Sequence, residues 1–470
     1  MCPSLFSVAC LAAVLALSLA TLRTEAGGPA PNLLPNADFQ QGEIGQLPES
    51  WELHAYRPSL APKFALEELD GRKMLKVSGG GVPDCVGYVA AKAPIKLGQT
   101  YLFRVVFRVA SNTNPDENLL LQCYGPGAND GIHEYTRQPD GWVVGEAKIT
   151  YAGPNADGSE VVPEAECRLV YRFSPNGAAW VREVSLTETT PDPPRWVRVA
   201  CTSNRTDLAS CEAVLDAVGK AGVDLVLLPE YMQGDRVDEA ANGPSFQLMS
   251  AKARQYRMYV AGGIVRHVPE TDRTYNTCLL LDREGQLVGM YDKVHPYSPE
   301  INDLGITPGS RVPVYKTDFG TVGMMICYDS WFTDVAELLA LKGAEIILFP
   351  NAGYYRALMH ARAADNRVRI VCSSWNSGSG VWDTVGRDLG NPEVDASHGN
   401  PPGVTHKDVR REQIGEVEVL YATLDLNCSP SPHWNGGTMF EAPGNRRNRR
   451  DQTNFLEEQI RQERERWWKE

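Results

Sequence analysis

The spacing of apolar residues changes character once along the chain. Up to about residue 188 the apolar positions come in short alternating runs, such as Tyr101–Val109 and Arg168–Phe173, separated by stretches rich in Gly, Pro and Asn. Alternation with period two, broken by frequent turn residues, predicts an all-β sandwich over 30–188. A Pro-rich stretch, Thr189–Pro194 (TTPDPP), follows and is expected to be a linker over 189–194. From Arg195 the pattern alternates between buried strands and amphipathic helices. Trp196–Ala200 is a short apolar run. In 207–221, Leu208, Cys211, Val214, Leu215 and Val218 fall at helical spacing, and Gly222 supplies the stop. Predominantly apolar segments at 223–228, 322–327, 345–349 and 368–373 read as strands, with helices expected at 334–342 and 357–366. A hairpin is expected from 277–282 and 286–291, turning at Arg283-Glu284-Gly285. The expectation for 195–430 is an α/β domain with mixed sheets, and for 431–470 a C-terminal extension with a charged helix, Asn454–Lys469, that packs Trp467 and Trp468 on the body or on a partner subunit. No internal repeat is found.

Composition narrows this picture. At 470 residues, two or three domains are expected, and 43% apolar with 22% charged residues marks a globular chain. A net charge of −13 argues against a nucleic-acid partner, since phosphate binding needs a basic face. The basic run at Arg446, Arg447, Arg449 and Arg450 reads as a solvated segment. Residues 5–20 are almost wholly apolar, long enough for a signal-peptide core and short for a membrane span, so 1–26 is expected to be a leader. The expected location is secreted or periplasmic, with an uncleaved anchor as the alternative. Of 11 cysteines, Cys2 and Cys10 fall in that leader, and the odd remainder predicts a free thiol; a disulfide among Cys85, Cys123 and Cys167 is one option. No CxxC or HxxxH pair is present, and neither a metal nor a cofactor is expected.

Candidate chemistry sits at three strand ends. Glu230 follows the run 225–229, Lys293 the run 287–292, and Cys327 the run 322–326. In open α/β sheets ligands bind beyond the carboxyl ends of strands, so a carboxylate, an ammonium and a thiol placed this way form a nucleophilic hydrolase set. A thiol with a pKa of roughly 8.5 needs a base or a nearby cation at neutral pH. Glu230 is the candidate base, Lys293 the cation that also steadies an oxyanion together with the backbone N–H of Tyr328.

The flanks of these residues resemble the nitrilase, or carbon–nitrogen hydrolase, superfamily. Asp224–Tyr231 (DLVLLPEY), Tyr291–Glu300 (YDKVHPYSPE) and Gly323–Phe332 (GMMICYDSWF) look like its three blocks, in order. Gly305–Gly309 (GITPG), Leu341–Pro350 (LKGAEIILFP) and Arg362–Asn366 (RAADN) agree further. The resemblance covers about 195–426. It implies a four-layer α-β-β-α sandwich, Glu230 as base, Lys293 as catalytic lysine, Cys327 as nucleophile, and Glu300 as an acid that orients the lysine and substrate. Trp331 is expected to shape the pocket, and Asp329 either to do the same or simply to bond local backbone. This chain has Ala200–Asn204 (ACTSN) where many relatives carry a Gln, and Trp331-Phe332-Thr333-Asp334 where they often have Arg-Phe-Pro-Glu, which leaves substrate identity open. The implied reaction is hydrolysis of a small non-peptide amide or nitrile through a cysteine thioester, in a homo-oligomer. The alternatives are an N-acyltransferase using the same thioester and a catalytically inactive glycan-binding protein. Asn32–Phe39 (NLLPNADF), Trp51, Trp142 and Ala179–Leu186 (AWVREVSL) resemble a carbohydrate-binding jelly roll, which implies a polysaccharide partner if Trp51 or Trp142 is exposed. His295, His360, Cys278 and Cys372 read as packing or loop residues.

Overall fold

The computed structural model describes residues 30–126, 128–132, 135–151, 163–203, 207–391 and 406–427, with short pieces at 433–434, 437–438, 458–463 and 465–466. The expected leader, the basic run near 446–450, and Trp467 and Trp468 lie outside the described residues. The described part of the C-terminal helix is exposed, so these residues do not pack on the body.

The N-terminal part is two antiparallel sheets. One orders Glu52–His54, Val86–Pro94, Glu164–Arg172, Leu119–Gly125 and Ala128–Gly131; the other orders Lys63–Leu69, Arg72–Ser78, Ala178–Thr189, Thr100–Val109, Val143–Thr150 and Tyr135–Arg137. Their inward positions share one core. Val89, Ala91, Leu121, Cys167 and Leu169 of the first sheet meet Leu75, Val77, Phe103, Val105, Phe107 and Val184 of the second. Trp51 and Trp142 are 4% and 5% exposed, so neither presents a ring to a sugar. Trp142 lies beneath the guanidinium groups of Arg108 and Arg182, each 4.6 Å from its ring centroid. Cys123 and Cys167 face each other across paired strands with Sγ atoms 2.9 Å apart, yet all three cysteines of this part are free thiols, so the disulfide option is not taken up.

Residues 195–427 form two mixed sheets. The larger orders Leu287–Asp292, Arg273–Leu281, Tyr259–Val268, Leu225–Leu227, Trp196–Thr202, Val417–Asp425 and His406–Ile414, with Asp238–Glu239 beside Tyr259–Val268. The smaller orders Val314–Lys316, Thr321–Met324, Ile346–Asn351, Arg369–Ser374 and Gly380–Trp382. Strand alternation sorts their side chains into layers. Val199, Cys201, Leu225, Leu227, Cys278 and Leu280 face the smaller sheet, packing with Val322, Met324, Ile346, Leu348 and Ile370. The intervening Ala200, Val226, Leu228, Leu279 and Leu281 face the other way, onto helices Leu208–Lys220 and Pro244–Tyr256. Helices Asp334–Leu341 and Arg356–Asn366 add Val335, Leu339, Met359 and Ala363 to the core of the smaller sheet. The layers run helix, sheet, sheet, helix. The first helix is capped by Asp207, whose side chain accepts from the N–H of Ser210, and it ends at Gly222 with φ +72°.

Two sequence expectations differ in detail. The strand expected to run through Cys327 stops at Met324, and Cys327–Trp331 is a 3-10 helix. The strand at 223–228 is regular only over Leu225–Leu227. In both places the chain leaves the sheet early because the next residues must turn toward the site.

Candidate active site

Each candidate side chain is delivered by a local feature of the backbone. After Leu225–Leu227 the segment from Pro229 to Met232 runs beside the strand Tyr259–Val268: the N–H of Gly263 donates to the carbonyl of Pro229 at 2.9 Å, and that of Met232 to the carbonyl of Gly263 at 2.8 Å. Gly263 is required there, since a Cβ would lie 2.7 Å from the Cα of Glu230. The indole N–H of Trp375 holds the Glu230 carbonyl at 2.8 Å. Tyr231 (φ +52°) and Cys327 (φ +43°) both take the left-handed conformation that side chains disfavour. Such strain persists where the surroundings over-determine it, and at both positions it aims a reactive group off a strand end.

Lys293 is held at both ends of its backbone. Its N–H donates to the Asn276 carbonyl at 2.9 Å, and its carbonyl accepts from Gly309 at 2.8 Å. The GITPG segment thus threads against the hairpin: Ile306 donates to Glu300 and Thr307 to Thr274. Cys327 is placed by Asp329, which is fully buried. Its carboxylate accepts from the N–H of Ile326 at 2.9 Å, the N–H of His295 at 2.9 Å and the hydroxyl of Tyr291 at 2.7 Å. Asp329 therefore bonds local backbone, the second of its two sequence readings, and ties the nucleophile turn to the lysine loop. Arg362 of RAADN closes the other end of that turn by donating to the carbonyl of Phe332 at 3.1 Å.

At the centre, Lys293 and Glu230 are each 1% exposed and Glu300 is 7% exposed. The Lys293 ammonium donates to Glu230 Oε1 at 3.1 Å and to Glu300 Oε2 at 2.6 Å. Glu300 is fully satisfied, with Oε2 also accepting from the N–H of Tyr297 (2.6 Å) and Oε1 from the hydroxyl of Tyr231 (2.5 Å) and the amide of Asn276 (2.7 Å). Glu230 is not: Oε1 accepts a second bond from Asn276 at 2.6 Å, while the buried Oε2 has no partner among the described residues.

These environments separate the two acids. Burial pushes the Glu230 carboxyl up, and the pull of Lys293 does not overcome it with Glu300 opposing. Burial also acts on Glu300, but Lys293 and the donors around it outweigh that and hold it below the usual carboxylate range. Burial works against the Lys293 charge, yet Glu230, Cys327 and Glu300 keep it an ammonium. The Cys327 thiol is pushed up to about 12, first by burial and then by Glu230, against Lys293 and the Ala352 backbone. One ammonium faces two carboxylates, so the resting sulfur is a thiol and a base must take its proton as it reacts.

Of the sequence-predicted residues, Glu230 and Glu300 are brought into direct contact with Lys293. Cys327 is a free, half-buried thiol in the field of the other three. Tyr328 and Trp331 lie on the 3-10 turn that begins at Cys327. Their rings are 6.2 Å apart, Trp331 also approaches Tyr355 at 6.3 Å, and Trp331 is 54% exposed. His295 stacks on Phe332 and pairs with Asp329, outside the acid–lysine group. Sequence reasoning passed over Asn276 and Tyr231. An Asn within the run Tyr275–Leu281 was the available signal: Asn is depleted in strands, and a buried one must be hydrogen-bonded.

Residues 197–390 match the carbon–nitrogen hydrolase family. The chain is 30% identical over 239 residues to a Schizosaccharomyces pombe protein named a probable nitrilase, covering 46% of this chain and 81% of that one. It is 25% identical over 237 residues to an omega-amidase of Homo sapiens, covering 44% and 84%. Saccharomyces cerevisiae Nit3, a structure from the nitrilase superfamily, shares 23% identity with a TM-score of 0.41, covering 49% of this chain and 90% of that one. The chain belongs to the carbon–nitrogen hydrolase family of the nitrilase superfamily, and is a hydrolase of carbon–nitrogen bonds other than peptide bonds.

Proposed function

We propose that the protein hydrolyses a small amide through a thioester on Cys327. The observation that carries this reading is the unpartnered Oε2 of Glu230 in a buried acid–lysine group whose charges act on Cys327. Cys327 attacks the amide carbonyl while its proton passes to Glu230. The developing oxyanion is met by Lys293, whose ammonium has three donors and gives two of them to Glu230 and Glu300, and by the N–H of Tyr328. Collapse of the tetrahedral intermediate expels ammonia or an amine, which takes the proton from Glu230. Water then attacks the thioester, Glu230 accepts its proton, and the acid leaves as the thiol is restored. Glu300 stays ionised and holds Lys293. The name omega-amidase borne by relatives supports an amide over a nitrile.

Ammonia release over a panel of small amides and nitriles tests this reading. The expected outcome is turnover of amides, none by Cys327→Ala, and an acid-quenched wild-type adduct whose added mass is the acyl group on Cys327. Turnover by Cys327→Ala, or an adduct on another residue, overturns it.

A further inference from the structure

Asn276 occupies a position that no role has yet used. It is fully buried on the strand Arg273–Leu281, and its side-chain nitrogen donates to Glu230 Oε1 at 2.6 Å and to Glu300 Oε1 at 2.7 Å. Its backbone carbonyl accepts the N–H of Lys293 at 2.9 Å. The side-chain orientation follows from chemistry: the flipped amide would point an acceptor oxygen at two carboxylates. We infer that Asn276 is a positioning residue, an amide clamp that holds the two acids to one nitrogen and so leaves Glu230 Oε2 as the oxygen that exchanges protons with Cys327.

The argument is one of donor counting. Two carboxylate oxygens converge on one point, and like charges there repel unless protons lie between them. An NH₂ group supplies two from a single atom. A Ser hydroxyl supplies one, and an ionised Asp none. Lys293 cannot replace the clamp, because it already spans Glu230 Oε1 and Glu300 Oε2. With two donors on Oε1 and none on Oε2, Glu230 can turn only one basic oxygen outward. The charged and titratable groups around the clamp are Glu230 and Tyr231 on one loop, Lys293 on the next, Glu300 on the helix Ser298–Leu304, and Cys327 beyond them.

This inference rests on the role proposed for Glu230 and Cys327, and its test separates the two. The rate of Cys327 alkylation by iodoacetamide, read by mass spectrometry of the Cys327 peptide from pH 4 to 9, needs no substrate. With Glu230 as base, the wild-type rate should be level at the upper pH values and fall only once Glu230 takes a proton. A wild-type rate that climbs about tenfold per pH unit across the whole range, as unassisted ionisation of the thiol gives, defeats the role of Glu230 as base. Losing a hydrogen bond to an anion favours its protonated form. The limb in Asn276→Leu and in Asn276→Ser should therefore move to higher pH, by about one unit for Leu and less for Ser, with a fall in rate of about tenfold below the limb for Leu. Thermal melts report folding separately, and if the Leu variant does not fold, the Ser variant decides. A limb that stays at the wild-type pH in a folded variant, whatever its melting temperature, overturns the clamp.

Discussion

At the scale of single residues, the site works by giving two chemically similar acids different surroundings. Glu300 receives four hydrogen bonds from Lys293, Tyr231, Asn276 and the Tyr297 backbone. Glu230 receives two, both on one oxygen. Because burial raises the Glu230 carboxyl, its anion is lost on acidification at a pH above the usual glutamate range of about 4.3. The sign follows directly: protonated Glu230 cannot accept the thiol proton, so kcat/KM should fall as pH drops through that raised value. A pH–rate profile checks this, and an acid limb below about pH 4 would contradict it. Glu230→Gln keeps the shape and should lower kcat by about 10²–10⁴-fold. It is a cleaner probe than Lys293→Ala, which leaves two buried carboxylates facing each other and costs about 3–5 kcal/mol of stability in its own right.

At the scale of elements, catalytic geometry depends on close backbone approaches that a larger side chain would spoil. Gly263 is the sharpest case. An added Cβ would sit 2.7 Å from the Glu230 Cα and 3.0 Å from the Pro229 carbonyl, both main-chain atoms that cannot swing aside. Gly263→Ala should therefore displace the base, and misplacement of about 1 Å can cost on the order of 10²-fold in rate. The variant's kcat/KM, compared with its circular dichroism, measures this; full activity in a folded Gly263→Ala protein would contradict it. Asp329 plays the corresponding part for the nucleophile, joining Ile326, Tyr291 and His295 so that the 3-10 turn is fastened to the lysine loop.

At the scale of the whole molecule, two sets of apolar cores are drawn from opposite sides of Pro193. One set takes its residues from 33–186 and the other from 197–426. The junction is anchored separately on each side. Lys148 pairs with Asp192, while the side chain of Asn427 donates to the Pro193 carbonyl and the N–H of Arg195 to Asp425. All the site residues lie after the junction. A chain beginning at Pro191 should thus fold and keep the kcat/KM of the full-length protein on a small soluble amide. Loss of folding or of activity in that truncation would show that the sandwich completes the hydrolase.

Periodicity and local motif together determined much of this protein before any coordinates. Period-two runs marked the sandwich, helical spacing marked a helix over 207–221 that is observed over Leu208–Lys220, strand–helix alternation marked one over 334–342 that is observed over Asp334–Leu341, and Glu230, Lys293 and Cys327 stood out because each follows a strand-like run. These are properties of short windows, and the physics that sets them acts over a few residues. Only the tertiary structure decided what depends on distance between windows. It buried Trp51 and Trp142, left Cys123 and Cys167 as free thiols, settled Asp329 on the backbone, and placed Asn276 between acids 46 and 24 residues away. No local pattern carries that last fact, because the clamp exists only where a strand, a loop and a helix bring two carboxylates to one nitrogen.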